Sequence, residues 1–317
     1  MAVSNRGKVV VAMSGGVDSG VAAWLLREQG YEVVGLFMRT GTEADDASGP
    51  GRRRGCCGAA DAADARAIAA KLGISLYVLN FKDQFEALIQ QFADEYARGR
   101  TPNPCILCNE RLKFGRLAQY GEAIGAHHVA TGHHARIVRR GGRAALARGR
   151  DAEKDQSYVL FSVRRPMLDR MLLPVGDLTK DQVRRHARQL DLPVHDKPDS
   201  QEICFVPDDD YARVVRQQRP DAFQPGPIRH VDGRELGRHE GLAHYTIGQR
   251  RGLGVALGAP VYVTELDAET KTVVLGPREA LLHDGLTATG VNWLVDPPVG
   301  KLAVRARIRY AHAAVGA

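Results

Sequence analysis

Six residues near the start of the chain, Ser14-Gly15-Gly16-Val17-Asp18-Ser19, constrain the fold more than any other stretch. An apolar run, Val9–Met13, precedes them, and an amphipathic run, Val21–Leu26, follows. A strand, a glycine turn and a helix start are therefore superimposed. The two glycines let the backbone approach an anion closely. The first N–H groups of the helix and its dipole then point at that anion, and Ser14 and Ser19 add hydroxyls. Asp18 would repel a phosphate directly, so the sequence predicts a magnesium ion or a water network between them.

This phosphate loop lacks the lysine of Gly-x4-Gly-Lys-Ser/Thr, and Gly-x-Gly-x-x-Gly is also missing. The pattern resembles the PP-loop of ATP pyrophosphatases, which cut ATP between the α and β phosphates and place AMP on a substrate oxygen. The bland alternative is an ordinary glycine-rich strand-to-helix turn.

The chain has 317 residues, enough for two or three domains. Residues 1 to about 135 alternate strand-like runs (Val9–Met13, Val33–Met38, Leu76–Phe81, His128–Thr131) with helix-like runs (Ser19–Gln29, Ala59–Leu72, Gln84–Tyr96, Glu110–Ile124). The fold class is therefore α/β, a doubly wound parallel sheet with helices on both faces. Ligands of such sheets bind beyond the carboxyl ends of the strands, where Ser14–Gly16, Met38, Asn80-Phe81 and Gly132-His133 fall. Ala135–Arg140 and Arg143–Arg148 flank Gly141-Gly142 and predict a β-hairpin. Helices are expected near Ser157–Val163 and Lys180–Leu190. Beyond Cys204, Pro225-Gly226-Pro227 and short runs such as Val261–Leu266 and Thr272–Leu275 predict small β-rich modules. Three domains are expected: 1–204, 205–278 and 279–317.

A net charge of +7, with arginine clusters at Arg52–Arg54, Arg139-Arg140 and Arg250-Arg251, favours a polyanionic partner over a small metabolite. A merely solvated basic surface is the competing reading. The same two readings apply to the basic glycine loop Gly248–Gly252 and to Val304–Tyr310. The latter alternates with period two, three arginines on one face and Val304, Ala306, Ile308 and Tyr310 on the other. The apolar face is expected to pack and the arginine face to meet phosphates. No run approaches the roughly 18 apolar residues of a membrane span, and no signal-peptide core is evident. Five cysteines without an export signal suggest working thiols in a cytoplasmic protein.

Cys105 and Cys108 lie in Pro102-Asn103-Pro104-Cys105-Ile106-Leu107-Cys108-Asn109, where two prolines suggest a stiff loop ahead of a helix. A thiol at a helix start has its thiolate stabilised. Cys204 follows in Asp199–Phe205, with Lys197 nearby as a second influence that favours a thiolate. A zinc site would lack its second Cys-x2-Cys pair. A redox or sulfur-transfer pair, Cys108 with Cys204, fits the phosphate loop better. An iron–sulfur cluster on Cys105, Cys108 and Cys204, with one iron open for sulfur, stays open as a third reading. Cys56 and Cys57 read as packing or loop thiols, and His127, His128 and His134 as surface or packing histidines.

Taken together, the chain closely resembles the bacterial tRNA-specific 2-thiouridylases. The match rests on Ala12–Ser19, Thr101–Asn109, Ala130–Arg136, Lys154–Tyr158, Asp199–Phe205 and His244–Gly254. The resemblance implies a catalytic domain of PP-loop, adenine nucleotide alpha hydrolase-like type, with a helical tRNA-binding extension. Small β-rich central and C-terminal modules follow it. It implies conversion of the C2 carbonyl of the wobble uridine in tRNAs for lysine, glutamate and glutamine to a thiocarbonyl, with ATP and magnesium adenylating the oxygen. Cys204 would carry a persulfide and Cys108 would free its sulfur, leaving a transient disulfide. Ala12, Met13, Ser14, Gly15, Gly16, Val17, Asp18, Ser19, Met38 and Gly132 would form the ATP site. Asn103, Pro104 and Cys105 would meet a target base extruded from the anticodon loop. His133, Lys154, Asp155, Gln156, Arg309 and Tyr310 would touch tRNA. The implied partners are tRNA and a cysteine desulfurase or sulfur-relay protein, with the enzyme a monomer.

Two departures from the family stand out. Many relatives carry aspartate where Cys105 stands, a proposed general acid or base, so here a thiol fills that place or the role is vacant. Relatives also run some tens of residues beyond Ala317, so the last barrel is expected to be incomplete and one tRNA-contacting glutamine to have no counterpart. The main rivals are a small-molecule PP-loop ligase and a tRNA-binding protein with impaired catalysis.

Overall fold

A computed structural model describes residues 6–41, 58–199, 203–206, 210–309 and 312–317. The chain divides into two compact units. One comprises residues 1–84, 105–207 and 290–317, and the other residues 85–104 and 208–289.

The first unit is built on a five-stranded parallel sheet. Its strands are β1 (Lys8–Ala12), β2 (Glu32–Arg39), β3 (Ser75–Asn80), β4 (His128–Ala130) and β7 (Met171–Leu172), in the order β3-β2-β1-β4-β7. The doubly wound parallel sheet read from the alternation is therefore present. β1 lies at its centre, with Val9, Val10 and Val11 fully buried. A strand covered on both faces needs a continuous apolar run rather than an alternating one. Helix α1 (Val17–Glu28) returns the chain to β2. Its face of small residues, Gly20, Ala22 and Ala23, packs within the core that also holds Leu26, Ile68 of α2 (Ala59–Leu72) and Leu192. Each fully buried Leu or Ile in that core contributes about 1.5–3 kcal/mol. The chain moves outward from β1 through β2 to β3, then crosses back to β4 on the other side of β1. The crevice between the carboxyl ends of β1 and β4 is thus the topological switch point.

After β3, helix α3 (Lys82–Ala97) begins, and from Phe85 on it belongs to the second unit. Three helical segments then follow without a break: α4 (Pro104–Leu107), a π-helical stretch (Cys108–Arg116) and α5 (Leu117–Ala123). The expected helix therefore starts six residues before Glu110. Pro104 stands at its first position, where a missing N–H costs nothing. Cys108 is consequently inside the helical run rather than ahead of it. The predicted hairpin forms as β5 (Ala135–Arg140) and β6 (Arg143–Arg148), with six in-register pairs. Gly141 and Gly142 both take positive φ, 55° and 78°, as a two-residue turn of this hand requires.

The helix expected near Ser157–Val163 is a single 3-10 turn, Ser157–Val159. Asp155 accepts the Ser157 N–H and hydroxyl, and Asn109 Nδ2 donates to the Val159 carbonyl at 3.0 Å. Helix α6 (Lys180–Gln189) opens with a capping box between Thr179 and Gln182. At the chain's end, the strand expected over Val304–Tyr310 is reduced to β12 (Arg305–Ala306) paired with β13 (Val315–Gly316). Val304 and Ile308 stay exposed, so the apolar face does not pack. Two paired residues give those side chains no sheet to lie on.

The second unit carries helix α7 (Tyr211–Gln218) and a four-stranded sheet. Its strands are β8 (Gly226–His230), β9 (Glu235–His239), β10 (Tyr262–Asp267) and β11 (Thr272–Gly276), in the order β10-β11-β8-β9. Ile228, Val263, Val273 and Leu275 fill its core. Tyr96 of α3 stacks on Tyr211 of α7 at 5.0 Å, and Arg219 bridges to Asp94 at 2.6 Å. The Gly248–Gly252 loop closes on itself through Gln249, which accepts the Thr246 N–H and donates to the Arg251 carbonyl. Arg250 and Arg251 remain exposed. Among the described residues, no helix is long and apolar enough to cross a membrane.

Candidate active site

The loop after β1 is held open from within. The Ser14 N–H donates to Ser19 Oγ at 3.2 Å, the two hydroxyls lie 3.2 Å apart, and Ser19 Oγ donates to the Gly16 carbonyl. Gly15 has φ +67°, and a Cβ there would stand 2.2 Å from the Asp61 carbonyl oxygen. Only glycine fits. Across the crevice, a Cβ on Gly132 would fall 2.6 Å from the Asp18 carbonyl carbon and the Ser19 nitrogen. The β4–β5 connection therefore lies directly on the first turn of α1. Met13, Val17 and Met38 are buried, and Met13 and Val17 pack in the core. Those residues can offer a ligand only backbone or an edge, whereas Ala12, Ser14, Gly16, Asp18 and Gly132 are half-buried around the crevice.

Asp18 sits in an ion-pair network that sequence reading missed. Lys180 Nζ lies 2.7 and 2.8 Å from its two oxygens, and His134 Nε2 lies 3.3 Å from Oδ1. Burial pushes the Asp18 carboxyl up, but the His134 hydrogen bond and the Lys180 charge outweigh it and hold the group below the usual carboxylate range. The ammonium of Lys180 thus neutralises the charge for which the sequence predicted a metal or water. Lys180 also meets Asp199 at 2.8 Å, and Asp199 is further held by Lys154 at 2.9 Å and Arg184 at 3.0 Å. Burial again opposes ionisation, yet Lys180 and Lys154 bring the Asp199 pKa down to about 2. Thr179 fixes where α6 starts, and so where Lys180 stands. Its capping box with Gln182 was legible in the sequence, though the destination of Lys180 was not.

Lys197, expected beside Cys204, is engaged at the loop after β1. Its ammonium binds Asp61 and Asp64, each at 2.7 Å, and the Gly15 carbonyl at 3.0 Å. Burial alone would lower its pKa, but the two carboxylates raise it. A helix carrying two acidic residues, met by one lysine, is cheaper to bury than any of the charges alone. The result clamps the nucleotide loop onto α2.

His134 is buried, with Nδ1 unpartnered among the described residues, and its other ring nitrogen faces Asp18. His133 is buried, with Nδ1 2.6 Å from Thr131 Oγ1. Burial and the Lys113 charge keep its pKa well below the ordinary value. Asp155 accepts the Gly149 and Ser157 N–H groups, and Gln156 accepts that of His134. These two side chains hold the loop beneath the site. Lys154 is committed to Asp199. Arg309 is exposed, and Tyr310 lies outside the described residues, as do Cys56 and Cys57.

Cys105, Cys108 and Cys204 are half-buried thiols outside any disulfide. Cys105, not Cys108, occupies the first helical turn, and Cys108 begins the π-helical stretch. Such wide turns are frequent at functional sites. Asn103 and Pro104 belong to the second unit and Cys105 to the first. Asn103 is exposed and Pro104 buried. Among the described residues, no three His, Cys, Asp or Glu side chains are grouped to hold a metal ion. The three cysteines therefore do not make a cluster-binding set here, and no step is derived through one. Magnesium accompanying ATP keeps most of its waters and takes one or two carboxylates. Asp18, on the first turn of α1, has both oxygens on Lys180, so it would hold such an ion only by giving up part of that pairing.

A parallel sheet with a glycine-bounded anion loop at its switch point defines a nucleotide-binding α/β protein. Residues 7–208 match the family model described as "tRNA methyl transferase HUP domain", and residues 214–277 match "tRNA methyl transferase PRC-barrel domain". The tRNA-specific 2-thiouridylase of Clostridium perfringens is 48% identical over 305 residues, 96% of this chain and 84% of that protein. That of Methylobacterium is 50% identical over 307 residues, 95% of this chain and 80% of the relative. Among solved structures, a 4-thiouridine synthetase–RNA complex with bound ATP is 19% identical. The match covers 68% of this chain and 51% of that one, with a TM-score of 0.40, too loose a likeness to bear on function. The chain belongs to the tRNA-specific 2-thiouridylase family.

Proposed function

We propose that this chain is a tRNA-uridine 2-sulfurtransferase that uses ATP to exchange the C2 oxygen of the wobble uridine for sulfur. The observation that carries the reading is the loop at the β1–β4 switch point, where Gly15 and Gly132 leave no room for a Cβ against the Asp61 backbone and the first turn of α1. Family membership supplies the chemistry to which that loop is put. A uracil C2 carbonyl is a poor electrophile and its oxygen a poor leaving group. ATP bound with magnesium would supply AMP to that oxygen, with pyrophosphate as the leaving group. The chain's own residues then do the rest. The terminal sulfur of a Cys204 persulfide bonds to C2, and the C2–oxygen bond breaks with its electron pair leaving on AMP. The Cys108 thiolate attacks Cys204 Sγ, and the sulfur–sulfur electron pair stays with the sulfur on C2. A Cys108–Cys204 disulfide remains, which an external dithiol reduces.

The substrates in this reading are tRNAs for lysine, glutamate and glutamine, and the sulfur comes from a cysteine desulfurase directly or through relay proteins. Asn103, Pro104 and Cys105 meet the extruded base, and Arg309 and Tyr310 meet tRNA. The "methyl transferase" description of the domain models fits less well, since methyl transfer needs neither an adenylated leaving group nor paired thiols. The test is incubation with unmodified wobble-uridine tRNA, ATP, cysteine and a desulfurase, with thionucleoside measured by mass spectrometry and AMP by chromatography. Thionucleoside and AMP in equal amounts are expected. AMP release driven by amino acids but not by tRNA would overturn the reading in favour of a small-molecule ligase.

A further inference from the structure

Two consecutive glycines leave the central peptide of the anion loop undecided. Gly15 has φ +67° and Gly16 has φ −105°. Turning the peptide plane between them by half a revolution carries the Gly16 φ to the positive side, which glycine accepts as readily. The two residues' own sterics therefore do not choose an orientation. The choice matters, because in a planar trans peptide the carbonyl and the following N–H point in opposite directions. One orientation offers an incoming phosphate the Gly16 N–H. The other offers it the Gly15 carbonyl oxygen, which repels an anion.

Lys197, 182 positions away in the sequence, acts on that carbonyl. Its ammonium donates to the Gly15 oxygen at 3.0 Å, to Asp61 Oδ1 at 2.7 Å and to Asp64 Oδ2 at 2.7 Å. These three acceptors use the three donors that an ammonium has. Its backbone is held as well: the N–H donates to the Val194 carbonyl at 2.9 Å, and the carbonyl accepts from Arg184 at 3.2 Å. Asp61 is held in turn, since its Oδ2 accepts the Gly58 N–H at 3.2 Å. The Gly15 oxygen is thereby drawn to the α2 side of the loop, and the Gly16 N–H is turned away from α2. Among the described residues no acceptor takes that N–H.

We infer that Lys197 is a positioning residue that fixes the orientation of the Gly15–Gly16 peptide, giving the Gly16 N–H to a phosphate of the nucleotide and keeping the Gly15 carbonyl away from it. The inference rests on the proposed ATP site and deepens it by naming the group that makes the loop receptive to an anion. Asp61 and Asp64 have an indirect part: they hold the ammonium in place and touch no phosphate.

The experiment measures dissociation constants of magnesium–ATP by calorimetry and of adenosine by displacement, on the full chain. Lys197→Met is expected to weaken ATP binding roughly tenfold, the size of one hydrogen bond to a charged group, and to leave adenosine within about twofold. Lys197→Met combined with Asp61→Asn and Asp64→Asn removes the buried charges together, and is expected to fold and show the same selective loss. Unchanged ATP affinity in a folded variant overturns the inference, and so does an equal loss for ATP and adenosine, which marks a merely structural role. A second measurement needs no variant. Labelling glycine with carbonyl-13C and 15N selects amides that follow a glycine, which in this chain are Gly16 and Gly142 alone. The wild-type Gly16 amide proton is expected to move downfield with magnesium–ATP and not with adenosine, while Gly142 stays still. A Gly16 amide that ATP binding leaves unmoved overturns the inference and spares the nucleotide site. Absence of ATP binding to the wild type overturns the site itself, and the role of Lys197 with it.

Discussion

The nucleotide loop and the tail from Gly290 to Ala317 belong to the same unit but obey different rules. Around the loop, groups from distant parts of the chain meet: Asp18 with Lys180, Asp61 with Lys197, Gly132 against the first turn of α1. The tail is attached by a few polar contacts. Asn292 donates to the Phe161 and Val163 carbonyls, and Asp296 meets Arg143 and Arg165. Meanwhile Trp293, Val295, Val299, Leu302 and Ile308 face solvent. Precision in this protein comes from long-range pairing of charges and close backbone approach, and local pattern alone does not produce it.

That contrast predicts a descending scale of effects. Cys204→Ser should abolish thionucleoside formation with tRNA binding retained in a filter assay, and Asp18→Ala should abolish AMP release. Sulfur transfer at the wild-type rate in the first, or AMP release in the second, would refute those assignments. Gly15→Ala forces a Cβ against backbone and is expected to cost about 3 kcal/mol in denaturant unfolding. A cost near zero would mean that the close approach to Asp61 is not required. The acid limb comes next. The Asp199 pKa is lowered to about 2, so its pairing stabilises the fold above the ordinary carboxylate range. That contribution is lost as pH falls from about 4 toward the folded value. Asp199→Asn should therefore flatten the stability profile in that window and lower stability at neutral pH, as read by thermal melts across the acid range. The smallest effects belong to the tail. Val299→Ser should stay within about 0.5 kcal/mol of wild type, and Asp296→Ala should leave the melting curve unchanged. A loss from either to match Gly15→Ala would erase the distinction between the two regions.

The same contrast explains what could be read from sequence. The parallel sheet, the loop and the hairpin are each announced by short-range pattern: a buried apolar run, glycines at a strand end, Gly141-Gly142 between alternating runs. Val304–Tyr310 has the same alternation as the hairpin, yet it pairs over two residues instead of six. Alternation states which faces would differ, not whether a neighbouring strand exists. Lys180, Asp199 and Lys197 escaped for the opposite reason. Lys180 looks like a solvated charge in its own segment, and Asp199 and Lys197 look like neighbours of Cys204; the pairings of all three exist only because the fold brings a remote carboxylate or ammonium to them. Misplacing the helix start at Glu110 came from reading Pro104 as a loop residue, when its fixed φ suits the first helical position equally well.

The nine widely wound residues from Cys108 to Arg116 bear on how this site tolerates change in chain length. In an ordinary helix each residue advances about 100° around the axis. Removing one residue with the winding of the rest unchanged would rotate the sulfur of Cys108 by something on the order of that angle relative to Leu117, which is wholly enclosed. The thiol's bearing is thus recorded in the number of residues between it and its buried anchor, and a deletion that removes no functional group would still aim it elsewhere.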